Sequence, residues 1–226
     1  MNFKFLSKVH QAVIGPTGSG KSYFVGFIAE KLYEQEIPFI IFDTKTKNHI
    51  GLIQLKKVKL LKIKPNTVYD FKRMLDYDYI LAIPTRSTTT KELIAQYLRA
   101  LKTIFNSGRP YVLILEEAHN YAETTRKPYD VVELITREGR SSGQNCIFVT
   151  QRILDFPKIL WANCYLSYIF KALIPNDINY IAQMIPNFQE LNRQLKKYHV
   201  LEYDHLTHEY RVIEPWQVQR KTKHYG

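Results

Sequence analysis

Seven short apolar runs punctuate the chain: VHQAVIG (9–15), IPFIIFD (37–43), VKLLKI (58–63), YILAIP (79–84), YVLILEE (111–117), NCIFVTQ (145–151) and CYLSYIF (164–170). Several lack polar–apolar alternation, as expected of strands covered on both faces of a mainly parallel sheet. The amphipathic stretches between them supply crossover helices, so the expected class is α/β. The clearest helix spans 90–106, where Leu93, Ile94, Tyr97, Leu98, Leu101, Ile104 and Phe105 recur at three- and four-residue spacing. Thr89 and Glu92 form a capping-box pattern at its start, and Gly108 with Pro110 closes it. Its stripe reads as core packing. Beyond residue 175 the pattern shortens to two small helices, NDINYIAQM and NFQELNRQLKK, then a hairpin from YHVLEYD and EYRVIEP.

The chain's 226 residues fit a single domain, 1–226. Its expected parts are a core over about 8–170, C-terminal helices and a hairpin over 171–215, and a basic tail over 216–226 whose last residues, KTKHYG, fray. Hydrophobic residues at 45%, with 12 Phe and 16 Tyr, suffice for a sizeable core. The net charge of +11 and pI near 9.5 favour a polyanionic partner such as nucleic acid or an acidic membrane surface. Cys146 and Cys164, both in apolar stretches, exclude a disulfide framework and a four-cysteine zinc site, implying a reducing, cytoplasmic setting. No run approaches the roughly 18 apolar residues of a membrane span, and MNFKFLSKVH lacks a signal-peptide core.

Residues 15–22, GPTGSGKS, satisfy G-x-x-x-x-G-K-[ST] after one apolar run and before the helical YFVGFIAEKLYEQ. Such a loop turns backbone N–H groups inward around phosphate oxygens, and the helix N-terminus adds favourable partial charge. Gly15, Pro16, Thr17, Gly18, Ser19, Gly20, Lys21 and Ser22 are therefore candidate ATP-binding residues. Lys21 would neutralise the β and γ phosphates, and the Ser22 hydroxyl would ligate Mg²⁺. The base-reading pattern N-K-x-D is absent, which disfavours a GTPase switch.

YVLILEEAHN supplies an acidic pair at a strand end: Glu116 as a magnesium-shell residue, in place of the usual Asp, and Glu117 as the base that polarises water. The pair favours ATP hydrolysis. Asp43, ending IPFIIFD, can face the nucleotide edge or simply begin a loop, and His119 has no assigned role. In a parallel sheet ligands gather at the strands' carboxyl ends, while crossover helices end at the opposite edge. Gln151, ending a strand, then senses the γ phosphate of its own subunit. Arg137, in the last turn of the helix beginning near Pro128, and Arg140, beyond an expected left-handed cap at Gly139, would lie at the far edge. There each can act on a neighbouring subunit's nucleotide or, for Arg137, simply favour the helix dipole. Arg152 is a further candidate for a finger acting in trans.

Together GPTGSGKS, LILEEAHNY, TREGRSSGQ and FVTQR, in this order over about residues 9–152, resemble the FtsK–HerA superfamily of DNA-pumping ATPases. The small size is similar to the genome-packaging ATPases of viruses with double-jelly-roll capsids, including archaeal ones. The resemblance implies a RecA-like P-loop core, a homo-oligomeric, hexameric ring, and double-stranded DNA in its pore. It carries over Lys21, Ser22, Glu116, Glu117 and Gln151 to the roles above, and Arg140 or Arg137 to the trans finger. It further implies host-cytoplasmic or virion-associated work with capsid or internal-membrane proteins. Lys45, Lys47, Arg126 and Lys127 are candidate DNA-phosphate contacts, each equally explained as a solvated surface cation. Two other classes stay open: a HerA-like helicase in DNA processing, and a nucleotide-dependent DNA-binding or partition ATPase that does not pump.

Overall fold

A computed structural model describes residues 7–225. Its strands are β1 (Gln11–Ile14), β2 (Phe39–Phe42), β3 (Val58–Ile63), β4 (Tyr79–Pro84), β5 (Tyr111–Glu116), β6 (Ala122–Thr124), β7 (Lys127–Pro128), β8 (Gln144–Thr150), β9 (Leu166–Phe170), β10 (Val200–Asp204) and β11 (Tyr210–Ile213). Its α-helices are α1 (Lys21–Glu34), α2 (Thr90–Ser107), α3 (Asp130–Glu138), α4 (Lys158–Ala162), α5 (Pro175–Ala182) and α6 (Phe188–Gln194). Nine strands form one sheet in the order β11-β10-β9-β1-β8-β5-β2-β4-β3. From β9 to β3 every pairing is parallel, and β10 and β11 add an antiparallel hairpin at one edge. The fold is the α/β, mainly parallel P-loop architecture expected from the sequence.

The central strands divide their side chains between two cores. Ala12, Ile14, Ile40 and Phe42 join the cluster that α2 covers through Leu93, Tyr97 and Leu101. Val13, Phe39 and Ile41 turn to the opposite cluster, where α1 packs Phe24, Val25 and Ile28. Successive strand residues point to opposite faces, so a strand between two helical layers has no face for polar residues. Helix α2 begins with the expected capping box, Thr89 Oγ1 accepting from Glu92 N, and ends on left-handed Gly108. Its Tyr97 hydroxyl donates within reach of the carbonyls of Asp43 (2.7 Å) and Ala82 (3.0 Å), pinning the helix to the carboxyl edge of β2 and β4.

Two expectations change. Gly139 is right-handed (φ −60°), because the chain continues into a 3-10 turn over Gly139–Ser142; the left-handed residue is Gly143 (φ 71°). The hairpin β6–β7 and the short helix α4 had no periodic signal. The basic tail does not fray over its described residues. Arg220, Lys221 and Thr222 lie along α1, where the buried Glu30 carboxylate accepts from Arg220 Nε (3.1 Å), Lys221 N (2.6 Å), Thr222 N (3.1 Å) and Thr222 Oγ1 (2.6 Å). A buried carboxylate needs such donors to offset lost hydration, and the tail supplies them. Among the described residues no helix is long and apolar enough to cross a membrane.

Candidate active site

The phosphate loop joins β1 to α1 through two residues in the left-handed region, Gly18 (φ 76°) and Gly20 (φ 101°), the latter capping the helix. Side chains there would be strained, so glycine is required to aim successive N–H groups into the loop. Lys21 Nζ donates to Pro16 O (2.9 Å) across the loop's mouth. Ser19 Oγ is buried without a hydrogen-bond partner, a polar atom the loop keeps available. Burial lowers the Lys21 pKa to about 8, helped by nearby Lys45 and opposed by Glu117 and Glu116. An anion seated here would favour the charged form and raise that pKa again.

Around this loop lies a cleft of about 710 Å³ lined by Lys21, Ser22, Lys45, Glu116, Glu117 and Gln151, among others. Four neighbouring strands deliver these groups at their carboxyl ends: β1 leads to the loop, β2 to Lys45, β5 to the acidic pair and β8 to Gln151. Thr17 Oγ1 donates to Gln151 Oε1, tying the loop to the end of β8. Glu117 is left-handed (φ 52°), breaking β5 so that two successive carboxylates diverge. Its carboxylate lies 3.8 Å from Lys45 Nζ and 3.6 Å from His119 Nδ1, both beyond tight hydrogen bonding. Burial lowers the His119 pKa, keeping that ring neutral beside the pair.

Glu116 is buried and accepts from His49 Nε2 at 2.7 Å. His49 is itself buried; burial opposes its charge, but the hydrogen bond to Glu116 and the charge of Asp43 prevail and raise its pKa. Asp43 joins the cluster from the end of β2: burial raises its pKa to about 7, opposed by His49 and reinforced by Glu116. Its Oδ1 accepts from Lys45 N (2.9 Å), shaping the turn that carries Lys45. Asp43 thus stands behind the cleft wall, and His49 is a site residue the sequence reading missed; a lone histidine in the loop after a strand offers no motif.

Ser22 and Glu116 share the cleft, and among the described residues no cluster of three or more His, Cys, Asp or Glu can hold a metal alone. That donor set fits Mg²⁺, which takes one or two protein oxygens and completes its octahedron with phosphate and water.

The arginines separate by edge. Burial, and after it the nearby charge of Arg140, lowers the His10 pKa to about 4. His10 precedes β1 and accepts from Cys146 N (2.9 Å) near the start of β8, so Arg140 is at the amino edge of the sheet. Arg137 sits one helical turn from Glu133, at 3.9 Å, on the exposed face of α3. Arg152 is the one of the three next to Gln151, paired with Asp155 at 3.4 Å. The four lysine and arginine candidates for DNA also separate. Lys45 turns into the cleft, and exposed Lys47 lines an adjoining groove with Lys62 and Arg86. Exposed Arg126 is in the turn between β6 and β7, and Lys127 pairs with Glu123 at 2.8 Å.

In fold, the chain resembles the genome-packaging NTPase B204 of Sulfolobus turreted icosahedral virus 2 in complex with ATP-γ-S. The TM-score is 0.73 at 21% identity, covering 95% of this chain and 99% of that one. It also resembles VirB4 of Thermoanaerobacter pseudethanolicus (TM-score 0.71, 11% identity, 93% and 91% covered) and the bacterial conjugative coupling protein TrwB lacking its first 70 residues (0.69, 10%, 96% and 87%). No curated protein matches the chain in sequence. A family model described as the central domain of the helicase HerA matches residues 3–145, more than half of the chain. The chain therefore belongs to the HerA central-domain family and is a P-loop ATPase of that kind.

Proposed function

We propose that the protein is an ATP-driven translocase of double-stranded DNA that works as a homo-oligomeric, hexameric ring and fills a viral capsid. The observation that carries this reading is the convergence of Lys21, Ser22, Glu116, Glu117 and Gln151, from separate strand ends, on one cleft. Lys21 and the loop's N–H groups hold the triphosphate, and Ser22 and Glu116 hold Mg²⁺. Bound Mg²⁺ neutralises charge developing on the phosphates. Glu117 Oε orients the attacking water and takes its proton. Gln151, tethered to Thr17, responds to the γ phosphate. Arg140 at the opposite edge, or Arg137, acts on a neighbour's nucleotide, where such an arginine raises turnover by roughly 10³ to 10⁵.

The charge of +11 suits a duplex track held through its phosphates, with Lys45, Lys47, Arg126 and Lys127 as candidate contacts. Fold likeness to the packaging NTPase over nearly both whole chains favours a capsid-filling role in the host cytoplasm or at the virion, with capsid or internal-membrane proteins as partners. The family match favours a second reading, a HerA-like helicase in DNA processing. Turnover by the assembled protein with and without long duplex DNA tests the motor. A rate indifferent to DNA means a binding or partition ATPase, whereas triplex displacement along a duplex establishes movement. Co-purification with a capsid protein decides between packaging and processing. Mixing Arg140→Ala subunits with Glu117→Gln subunits tests the ring: turnover restored above either variant alone supports a shared site, and strictly additive rates oppose it.

A further inference from the structure

One end of the cleft is polar and holds the phosphate loop and acidic pair. The other is built largely from residues between 170 and 224, all beyond the 3–145 span matched by the family model. Phe170, Tyr198, Val200, Pro215, Val218 and His224 line it. Tyr198 is left-handed (φ 66°), a rare conformation for a bulky aromatic, and its ring lies 3.3 Å from where a Cβ on Gly20 would sit. The surrounding fold therefore holds an aromatic ring directly against the phosphate loop at a conformational cost.

His224 faces the same space as a fixed plane. Its Nδ1 is 3.2 Å from Arg220 Nη1, and a guanidinium only donates, so Nδ1 accepts and the imidazole is neutral. The Asn48 backbone also lies close enough to act on the ring, favouring its charged form. It meets Tyr23 edge-on, with centroids 5.5 Å apart at 89°. The strap carrying His224 is held by the Glu30–Arg220 pair and passes Gly51 so closely that a Cβ there would lie 1.8 Å from Lys223 O.

We propose that this end of the cleft is the nucleobase subsite: a slot for an adenine ring between Tyr198 and His224, closed by Pro215 and Val218 of the C-terminal strap. It rests on the cleft being the ATP site. Flat aromatic surfaces bind a base by stacking, which any base can accept. Selection for adenine follows from the cleft's carboxylates, Glu116 and Glu117, both being at the polar end beside Lys21 and Lys45. None is left to receive the N1–H and N2 amino donors of guanine.

Titration of the full chain, with Mg²⁺, against ATP, GTP and inorganic tripolyphosphate tests this. Tyr198→Ala and His224→Ala should each weaken ATP by about tenfold while tripolyphosphate stays within about twofold. Gly51→Ala, which displaces the strap without touching the slot, should do the same. ATP affinity within about twofold of wild type in both ring variants overturns the slot. So does equal weakening of both ligands, and equal wild-type affinity for ATP and GTP overturns the adenine preference. Wild-type protein that binds neither ATP nor tripolyphosphate fails at the phosphate loop instead, removing the ATP reading beneath the proposal.

Discussion

Replacing Arg220 by alanine isolates the clasp that holds the C-terminal strap to α1. Both side chains of the Arg220–Glu30 pair are almost wholly buried, at 1% and 2% exposure, and their closest atoms are 3.1 Å apart. Removing one partner of a buried ion pair typically costs 3–5 kcal/mol, because a charge is left without its counter-charge. Here Glu30 keeps Lys221 N, Thr222 N and Thr222 Oγ1 as donors if the strap stays docked, and regains water if it lifts. Either route lowers the cost, so the expected loss is about 2–4 kcal/mol. Arg193→Ala is the control: its pair with Glu190 is at 3.3 Å but exposed at 76% and 59%, and should move stability by less than about 0.5 kcal/mol. Urea unfolding at neutral pH reads both values, and tryptic cleavage after Lys221 and Lys223 reports the strap directly. An Arg220→Ala protein as stable as Arg193→Ala, with its tail cut no faster than wild type, refutes the clasp.

Glu117→Gln should retain ATP binding while turnover falls by about 10²–10⁴-fold, measured as phosphate release under saturating ATP; full activity would remove Glu117 as the base. The depressed Lys21 pKa, about 8, predicts a pH dependence of triphosphate binding. Below that pH the free protein already carries the charge; above it, binding must draw in a proton, so affinity falls by up to about tenfold per unit. Calorimetry from pH 6.5 to 9.5 checks this, and a flat profile contradicts it. Tyr97→Phe should cost about 1–2 kcal/mol in denaturant unfolding, since the carbonyls of Asp43 and Ala82 lose their shared buried donor; an unchanged midpoint would discount that pin.

The parallel sheet was legible because Val112–Leu115 or Ile40–Phe42 cannot be half-solvated, and α2 because its caps and spacing agree. GPTGSGKS and the acidic pair were legible because their geometry is local: glycines that permit positive φ, a helix start, and carboxylates at a strand end. Topology alone also separated the edges of Gln151 and Arg140. The cap at Gly139 was misread because local sequence does not reveal whether a helix stops or tightens into a 3-10 turn, and Gly143 serves as well by composition.

The strap was misread for a different reason. KTKHYG has the composition of a solvated tail, and its described residues are placed by distant groups, above all a carboxylate nearly 200 residues earlier. Glu30 in turn reads as a routine helix-surface acid until Arg220, Lys221 and Thr222 are found against it. His49 behind Glu116, Tyr198 against the phosphate loop and His224 at the other end of the cleft are likewise contacts between distant segments without fixed spacing. The sequence by itself determined the sheet, the glycine-rich loop and the strand ends that meet at the cleft, since each follows from short-range sterics and periodicity. Tertiary structure alone decided what stands behind Glu116, where the tail goes and what walls the far end of the cleft, because desolvation makes distant groups answer to one another only once they are packed together.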